Sequence, residues 1–227
     1  MRVLAVVPAF NEEQCLFATV DMLVQACPDV DCLIVNDGSR DRTAQVARRC
    51  AARVANLPVN TGLTSALKTG MKYAQRHGYD AVVQFDADGQ HLPRYIPQLA
   101  AALEEGGAHV AIASRYLDGS VRPTGARGAG SRLITLLIRI TTGAVITDPT
   151  SGMRMYDRQM IRLFAQGFDC APEPDTIALV AREQGAVVEI QASMRERQGG
   201  ESYLKLGNVL KYMARTCLSI IMLRFLR

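Results

Sequence analysis

The stretch Val82-Val83-Gln84-Phe85-Asp86-Ala87-Asp88-Gly89-Gln90 decides how this chain is read, because an apolar run of buried-strand type ends in two carboxylates separated by one alanine. Side chains alternate along a strand, so Asp86 and Asp88 leave it on the same side. Like charges at that spacing repel, and a divalent cation beside them relieves the repulsion. Asp-Ala-Asp-Gly is also an ordinary way to leave a strand through a turn. A second run, Cys32-Leu33-Ile34-Val35-Asn36, closes in the same manner on Asp37-Gly38-Ser39 and leads into a charged, helix-opening segment. Acidic groups thus gather at strand ends, as a metal-assisted enzyme requires.

Outward from that stretch, strand-like runs at residues 3–7, 32–36, 53–55, 81–85 and 110–113 alternate with helix-like segments at 12–26, 43–50, 63–76 and 94–103. That alternation is the pattern of a parallel α/β sheet. In such sheets the ligand crevice lies beyond the carboxyl ends of the strands. Pro8-Ala9-Phe10-Asn11-Glu12, Asp37-Gly38-Ser39 and Asp86-Ala87-Asp88 are therefore expected on one rim. After Ser114-Arg115 the Gly- and Arg-rich residues 119–130 read as a mobile loop, followed by a helix over 131–141. Asp148-Pro149-Thr150-Ser151-Gly152-Met153-Arg154, a helix near 158–165, and a helix opened by Pro172-Glu173-Pro174-Asp175 and ending at Gly185 come next. Glu173 and Asp175 suit a helix start through its dipole alone. An edge-like strand over 187–192 precedes a closing helix over 202–227.

A chain of 227 residues with 48% hydrophobic content can bury the core of one α/β domain, with or without a short appendage. Its formal net charge of +4 is modest, and no nucleic-acid partner is expected. Basic residues accumulate late, at Arg195, Arg197, Lys205, Lys211, Arg215, Arg224 and Arg227, which fits an anionic partner there. Six cysteines without a Cys-x-x-Cys pair read as reduced core thiols of a cytoplasmic protein. The apolar opening residues 1–10 are too short for a secretion signal's core, and none is expected. His77, His91 and His109 lack ligand spacing, so zinc is not expected. In the closing helix the apolar run at 217–223 is too short to cross a bilayer. With Tyr203, Leu206, Leu210, Met213, Leu218 and Ile221 on related turns and basic flanks, the helix suits a membrane surface at the inner face of the plasma membrane. A core-packed helix or a homo-oligomer contact fits the same pattern.

Taken jointly, Val7-Pro8-Ala9-Phe10-Asn11-Glu12-Glu13, Val35-Asn36-Asp37-Gly38-Ser39-Arg40-Asp41-Arg42-Thr43 and Phe85-Asp86-Ala87-Asp88-Gly89-Gln90-His91 resemble the family 2 glycosyltransferases of GT-A fold. Asn60-x-Gly62, Ala113-Ser114-Arg115, Ser151-Gly152-Met153-Arg154 and Arg197-x-x-Gly200-x-Ser202 extend the resemblance over most of the chain. Within the family it is most similar to the branch of dolichol- and polyprenyl-phosphate hexosyltransferases. The resemblance implies a Rossmann-like nucleotide-binding sheet flanked by helices, with a catalytic domain at 1–201 and a C-terminal amphipathic helix at 202–227. It further implies an inverting transfer of a hexose from a nucleotide-diphosphate sugar to a polyprenyl phosphate or a cell-surface glycan precursor.

Roles follow from the same resemblance. Asp86 and Asp88 hold Mg²⁺ or Mn²⁺ against the diphosphate, as hard oxygen ligands suit, and Gln90 occupies a position that also meets the metal. Pro8, Ala9, Asn11, Glu12 and Ala87 receive the nucleotide sugar, and Asp37 meets the base or ribose or else braces its own turn. Arg115 and Arg197 are candidates for the diphosphate or an anionic acceptor, since guanidinium forks match phosphate oxygens. A lipid-phosphate acceptor is already anionic and needs no base, so Arg195, Arg197 and Lys205 would position it. A sugar hydroxyl would need one, and Glu173 or Asp175 is then the base.

Four other classes compete. Phe85-Asp86-Ala87-Asp88-Gly89 resembles the nucleophile motif of haloacid-dehalogenase-type phosphatases, but that motif normally follows the first strand and carries Thr where Gln90 stands. A pyrophosphorylase or a dinucleotide oxidoreductase would need a Gly-rich loop after the first strand, and Ala9-Phe10-Asn11-Glu12 is none. A non-catalytic nucleotide-binding regulator would keep the acidic motifs without turnover.

Overall fold

The first strand, β1 (Val3–Ala9), is apolar almost throughout because both its faces are covered. Leu4 and Val6 point into one packed layer, and Val3, Ala5 and Val7 into the other. The computed structural model, which describes residues 1–120, 125–167, 173–182, 186–195 and 206–223, extends this alternation across a seven-stranded sheet. Besides β1 its strands are β2 (Asp31–Asp37), β3 (Arg53–Leu57), β4 (Ala81–Gln84), β5 (Val110–Ser114), β6 (Arg154–Asp157) and β7 (Val187–Gln191). The spatial order is β3-β2-β1-β4-β6-β5-β7. β1 pairs in parallel with both β2 and β4, so the chain reverses its direction of growth at β1 and leaves a crevice at the carboxyl ends of these three strands.

One layer is built from α3 (Leu63–His77), α5 (Ala126–Thr142), α6 (Arg158–Ala165), α7 (Pro174–Val180) and α8 (Leu206–Leu223). Leu67, Met71, Ile134, Ile138, Phe164, Ile177 and Ile220 fill it. The other holds α1 (Leu16–Ala26), α2 (Thr43–Ala47) and α4 (Ile96–Gly106), which bury Leu16, Val20, Leu23, Ile96 and Leu99. The α3 helix lies directly on β1: a Cβ at Gly70 would stand 2.5 Å from the Val6 side chain.

Four expectations are corrected. The sheet is not wholly parallel, since β6 runs antiparallel to both its neighbours, β4 and β5. Its four residues, Arg-Met-Tyr-Asp, have a charge at each end and no readable alternation, yet Arg154 is 1% exposed. This reversal places the segment entering β6, residues 148–153, at the carboxyl end of β4. Second, α5 begins at Ala126, so part of the expected mobile loop is helical. Gly130 serves contact with α8 rather than flexibility, for a Cβ there would meet the Met213 side chain at 3.0 Å. Third, α1 begins at Leu16 rather than residue 12, because residues 11–13 are clasped to the segment after β2. Fourth, the α7 helix stops at Val180, short of the expected end at Gly185. The Arg197-x-x-Gly200-x-Ser202 motif lies outside the described residues.

The α8 helix packs on α5 and α7. Thr216 and Ile220 face inward, while Leu218, Ile221 and Met222 are exposed beside Arg215. Leu133, Leu136, Ile140 and Val145 are exposed on and just after α5. Among the described residues no helix is long and apolar enough to cross a membrane.

Candidate active site

At the crevice, Pro8, Ala9, Phe10 and Glu12 from the end of β1, Asp37 from β2, Leu63 and Ala66 from α3, and Asp86, Ala87 and Asp88 beyond β4 line a cleft of about 180 Å³. Four of these residues are acidic and none is Lys or Arg. The β1 exit is shaped by Asn11, whose φ of +57° is one that Asn tolerates better than most residues. Its N–H donates to Ser39 Oγ at 3.0 Å and its Oδ1 accepts from the Arg40 N–H at 2.9 Å. Alongside, the Glu12 N–H donates to Thr43 Oγ1 at 2.8 Å and the Glu13 N–H to Asp41 at 3.2 Å. Burial works against the Asp41 charge, but donors from Thr43 and Glu13 outweigh it and hold its carboxyl below the usual range.

Asp37 accepts three hydrogen bonds from the chain before α3. Thr61 donates through N–H and Oγ1, both at 2.9 Å, and the Gly62 N–H donates at 2.7 Å. A carboxylate at the start of α3 also meets the positive end of that helix. Asp37 therefore lines the cleft and braces the 61–62 segment together. Gly38 makes this possible: at φ +62°, a Cβ would lie 2.4 Å from the Val59 carbonyl carbon.

Beyond β4, Asp86 is about a third exposed, its Oδ1 accepting from Gln84 Nε2 at 3.0 Å and its Oδ2 lying 3.6 Å from His91 Nε2. Asp88 is 4% exposed and accepts from the Gln90 N–H at 3.0 Å. Thr19 of α1 donates to the Ala87 carbonyl at 3.0 Å, holding the loop from below. Gln90 is not among the cleft-lining residues; its Nε2 donates to the Arg195 carbonyl at 3.4 Å. Among the described residues no three His, Cys, Asp or Glu side chains cluster as a complete metal site. The chemistry of the donor set nonetheless fits a cation: two carboxylates share an acidic cleft whose described lining includes no basic residue.

Arg115 is placed differently from expectation. Its Nε and one terminal nitrogen engage Asp148 at 2.7 and 2.9 Å, and Thr150 Oγ1 accepts a further bond at 3.1 Å. It is absent from the cleft wall because the fully buried Asp148 needs a counter-charge. Burial pushes the Asp148 carboxyl up, and the Arg115 guanidinium more than reverses that, leaving it below the usual range. Glu189 on β7 accepts from the Thr147 and Asp148 N–H groups at 2.7 and 2.9 Å, anchoring the same segment.

Glu173 and Asp175 open α7. Asp175 accepts from its neighbour's Thr176 N–H at 2.9 Å and from Ser219 Oγ of α8 at 2.8 Å. Burial, with the Asp175 charge adding to it, holds the Glu173 carboxyl above its ordinary range, while Arg215 and Arg154 oppose. Buried Arg154 donates to the carbonyls of Pro149, Ser151 and Glu173 at 2.7, 2.8 and 3.3 Å. It thereby ties the start of α7 to the segment entering β6. Arg197 lies outside the described residues. The structure thus brings Pro8, Ala9, Glu12, Asp37, Asp86, Ala87 and Asp88 together in the cleft, and leaves Asn11, Gln90, Arg115, Glu173 and Asp175 off its wall. Sequence reasoning missed Gln84, His91, Gly152 and Arg154. The first two sit in or beside the carboxylate motif and the last two in Ser151-Gly152-Met153-Arg154, so position in a motif was the available signal.

Comparison with known proteins agrees with this architecture. The profile described as Glycosyl transferase family 2 matches residues 4–164. An undecaprenyl-phosphate mannosyltransferase of Micrococcus luteus is 33% identical over 223 residues, covering 92% of this chain and 90% of that protein. A polyprenol monophosphomannose synthase of Mycolicibacterium smegmatis is 32% identical, covering 93% and 84%. Among solved structures, glucosyl-3-phosphoglycerate synthase from Mycobacterium tuberculosis in complex with Mn²⁺, UDP-glucose and phosphoglyceric acid superposes with a TM-score of 0.73. That match covers 99% of this chain and 80% of the other at 20% identity, a likeness of fold.

Proposed function

The chain belongs to glycosyl transferase family 2 and is a glycosyltransferase, and from that premise we propose that it moves a hexose, with inversion, from a nucleotide-diphosphate sugar to a polyprenyl phosphate with the help of a divalent cation. The observation that carries this reading is the charge of the cleft. Among the described residues its wall holds Glu12, Asp37, Asp86 and Asp88 and no basic side chain, so a diphosphate approaching Asp86 and Asp88 meets repulsion unless a cation stands between them. Mg²⁺ or Mn²⁺ there would act as a Lewis acid for the leaving diphosphate. Asp86 and Asp88 would hold it, with the Gln90 side-chain oxygen as a further candidate.

The chain's own residues supply the rest. The clasp between residues 11–13 and 39–43 and the Asp37 brace on Thr61 and Gly62 fix the walls that receive the nucleoside. The polyprenyl-phosphate acceptor is proposed from the relatives' names, and Arg195, with Arg197 and Lys205, would meet its phosphate. A lipid acceptor asks for a membrane contact, and the exposed leucines, isoleucines and methionine of α5 and α8, next to Arg132, Arg139 and Arg215, suit the inner face of an anionic bilayer. A glycan hydroxyl acceptor is the second reading, favoured by the raised Glu173 carboxyl, which suits a proton acceptor.

A thermal-shift comparison of UDP, GDP, dTDP and CDP, each with and without Mn²⁺, tests the proposal. One nucleotide should stabilise the protein, and only with Mn²⁺ present. Equal stabilisation without the metal, or none from any nucleotide, would overturn it.

A further inference from the structure

Asp86 is fixed by more than its own backbone, and the arrangement around it is asymmetric. Its Oδ1 is held by Gln84 Nε2 at 3.0 Å. Facing its Oδ2 is His91, 2% exposed, its ring edge-on to Phe85 with centroids 5.6 Å apart. The Asp86 N–H donates to His91 Nδ1 at 3.0 Å. A backbone N–H can only donate, so Nδ1 is the acceptor nitrogen and the neutral ring carries its proton on Nε2. That nitrogen lies 3.6 Å from Asp86 Oδ2, a contact just beyond hydrogen-bond distance. Behind the pair stands Gly152, where a Cβ would lie 2.8 Å from Asp86 Oδ2 and 3.4 Å from His91 Nε2. The backbone at 152 can approach so closely because β6 runs antiparallel to β4.

We propose that His91, with Gly152 leaving the room, is a positioning residue that sets the rotamer of Asp86 and so tunes the affinity of the cleft for a divalent cation; this rests on the metal reading above. One imidazole accepts from the backbone N–H and faces the carboxylate of the same residue, so the ring cannot turn without losing the Asp86 amide. Partners of this kind orient metal-binding carboxylates and histidines, and their loss weakens metal binding by about 10- to 100-fold.

The test is a Mn²⁺ titration followed by electron paramagnetic resonance, in the presence of UDP, on the full chain and four variants. His91→Asn keeps an acceptor near the position of Nδ1 and removes the nitrogen facing Oδ2. Gly152→Ala keeps the whole imidazole and pushes on the carboxylate. Each should weaken Mn²⁺ binding by about 10-fold, with the circular dichroism of the wild type. Asp86→Ala should weaken it at least as much, and in that background His91→Asn should have no further effect, because its action passes through the missing carboxylate. A merely structural histidine would fail this last readout by weakening both backgrounds alike, and that result would overturn the proposal, as would wild-type Mn²⁺ affinity in both His91→Asn and Gly152→Ala. Wild-type affinity in Asp86→Ala itself would instead remove the metal reading, and this inference with it.

Discussion

Arg115 and Asp148 meet fork to fork, with Nε to Oδ2 at 2.7 Å and a terminal nitrogen to Oδ1 at 2.9 Å, and the aspartate has no exposed surface. Removing the cation would leave a buried carboxylate without its counter-charge. Arg115→Ala should therefore destabilise the protein by about 3 kcal/mol at neutral pH, read from urea unfolding. The pH dependence has a definite sign. Asp148 has a folded pKa below its unfolded value, so its contribution is complete above about pH 4 and disappears as pH falls through the folded value. The gap between wild type and Arg115→Ala should be widest at neutral pH and narrow steadily as pH falls into the acid range, because burial without the guanidinium raises the Asp148 pKa in the variant.

Asp88→Asn keeps the shape of the side chain and its acceptor for the Gln90 N–H while removing the charge. Sugar transfer should fall by about 100-fold or more, and the melting temperature should stay within a few degrees of wild type. Undiminished turnover in a folded variant would count against the metal role.

Glu173→Gln separates the two acceptor readings. With a lipid phosphate as acceptor no proton needs removing, and turnover should fall less than about 10-fold; a base acting on a hydroxyl would cost about 100-fold or more. Stability gives an independent readout. Because the folded Glu173 pKa is raised, its charged form opposes folding as pH rises through and above the carboxylate range. The glutamine variant should be more stable than wild type at pH 7 and lose that advantage near pH 4.

Leu136 and Ile140 on α5 and Leu218 on α8 are 52%, 58% and 61% exposed. Replacing all three with Gln removes apolar surface without emptying the core. Flotation with vesicles containing anionic lipid should drop several-fold while the melting temperature is unchanged. Equal flotation of both forms would reject membrane contact by this face.

Much of this was readable from residues alone, and the divide has a physical basis. The strands β1, β2, β4 and β5 are buried on both faces and so appear as unbroken apolar runs, and the carboxyl ends of β1, β2 and β4 lead to the acidic residues that line the cleft. By contrast, β6 is four residues long and begins with an arginine whose charge is answered by backbone carbonyls, which no pattern of side chains records. Arg115 looks alike in sequence whether it awaits a phosphate or holds Asp148, 33 positions away. His91 lay inside a quoted motif, but its role depends on which ring nitrogen faces the Asp86 amide, a matter of orientation. Gly130 read as slack because glycine is common in loops, whereas here its missing side chain admits Met213.

The hydroxyl of Ser219 reaches from α8 to Asp175, two residues beyond Glu173. The closing helix is thereby latched to the entrance of α7, and through Arg154 to the turn that abuts Asp86. The outermost helix of this layer is thus joined by side-chain hydrogen bonds to the backbone that closes on the cleft's carboxylate.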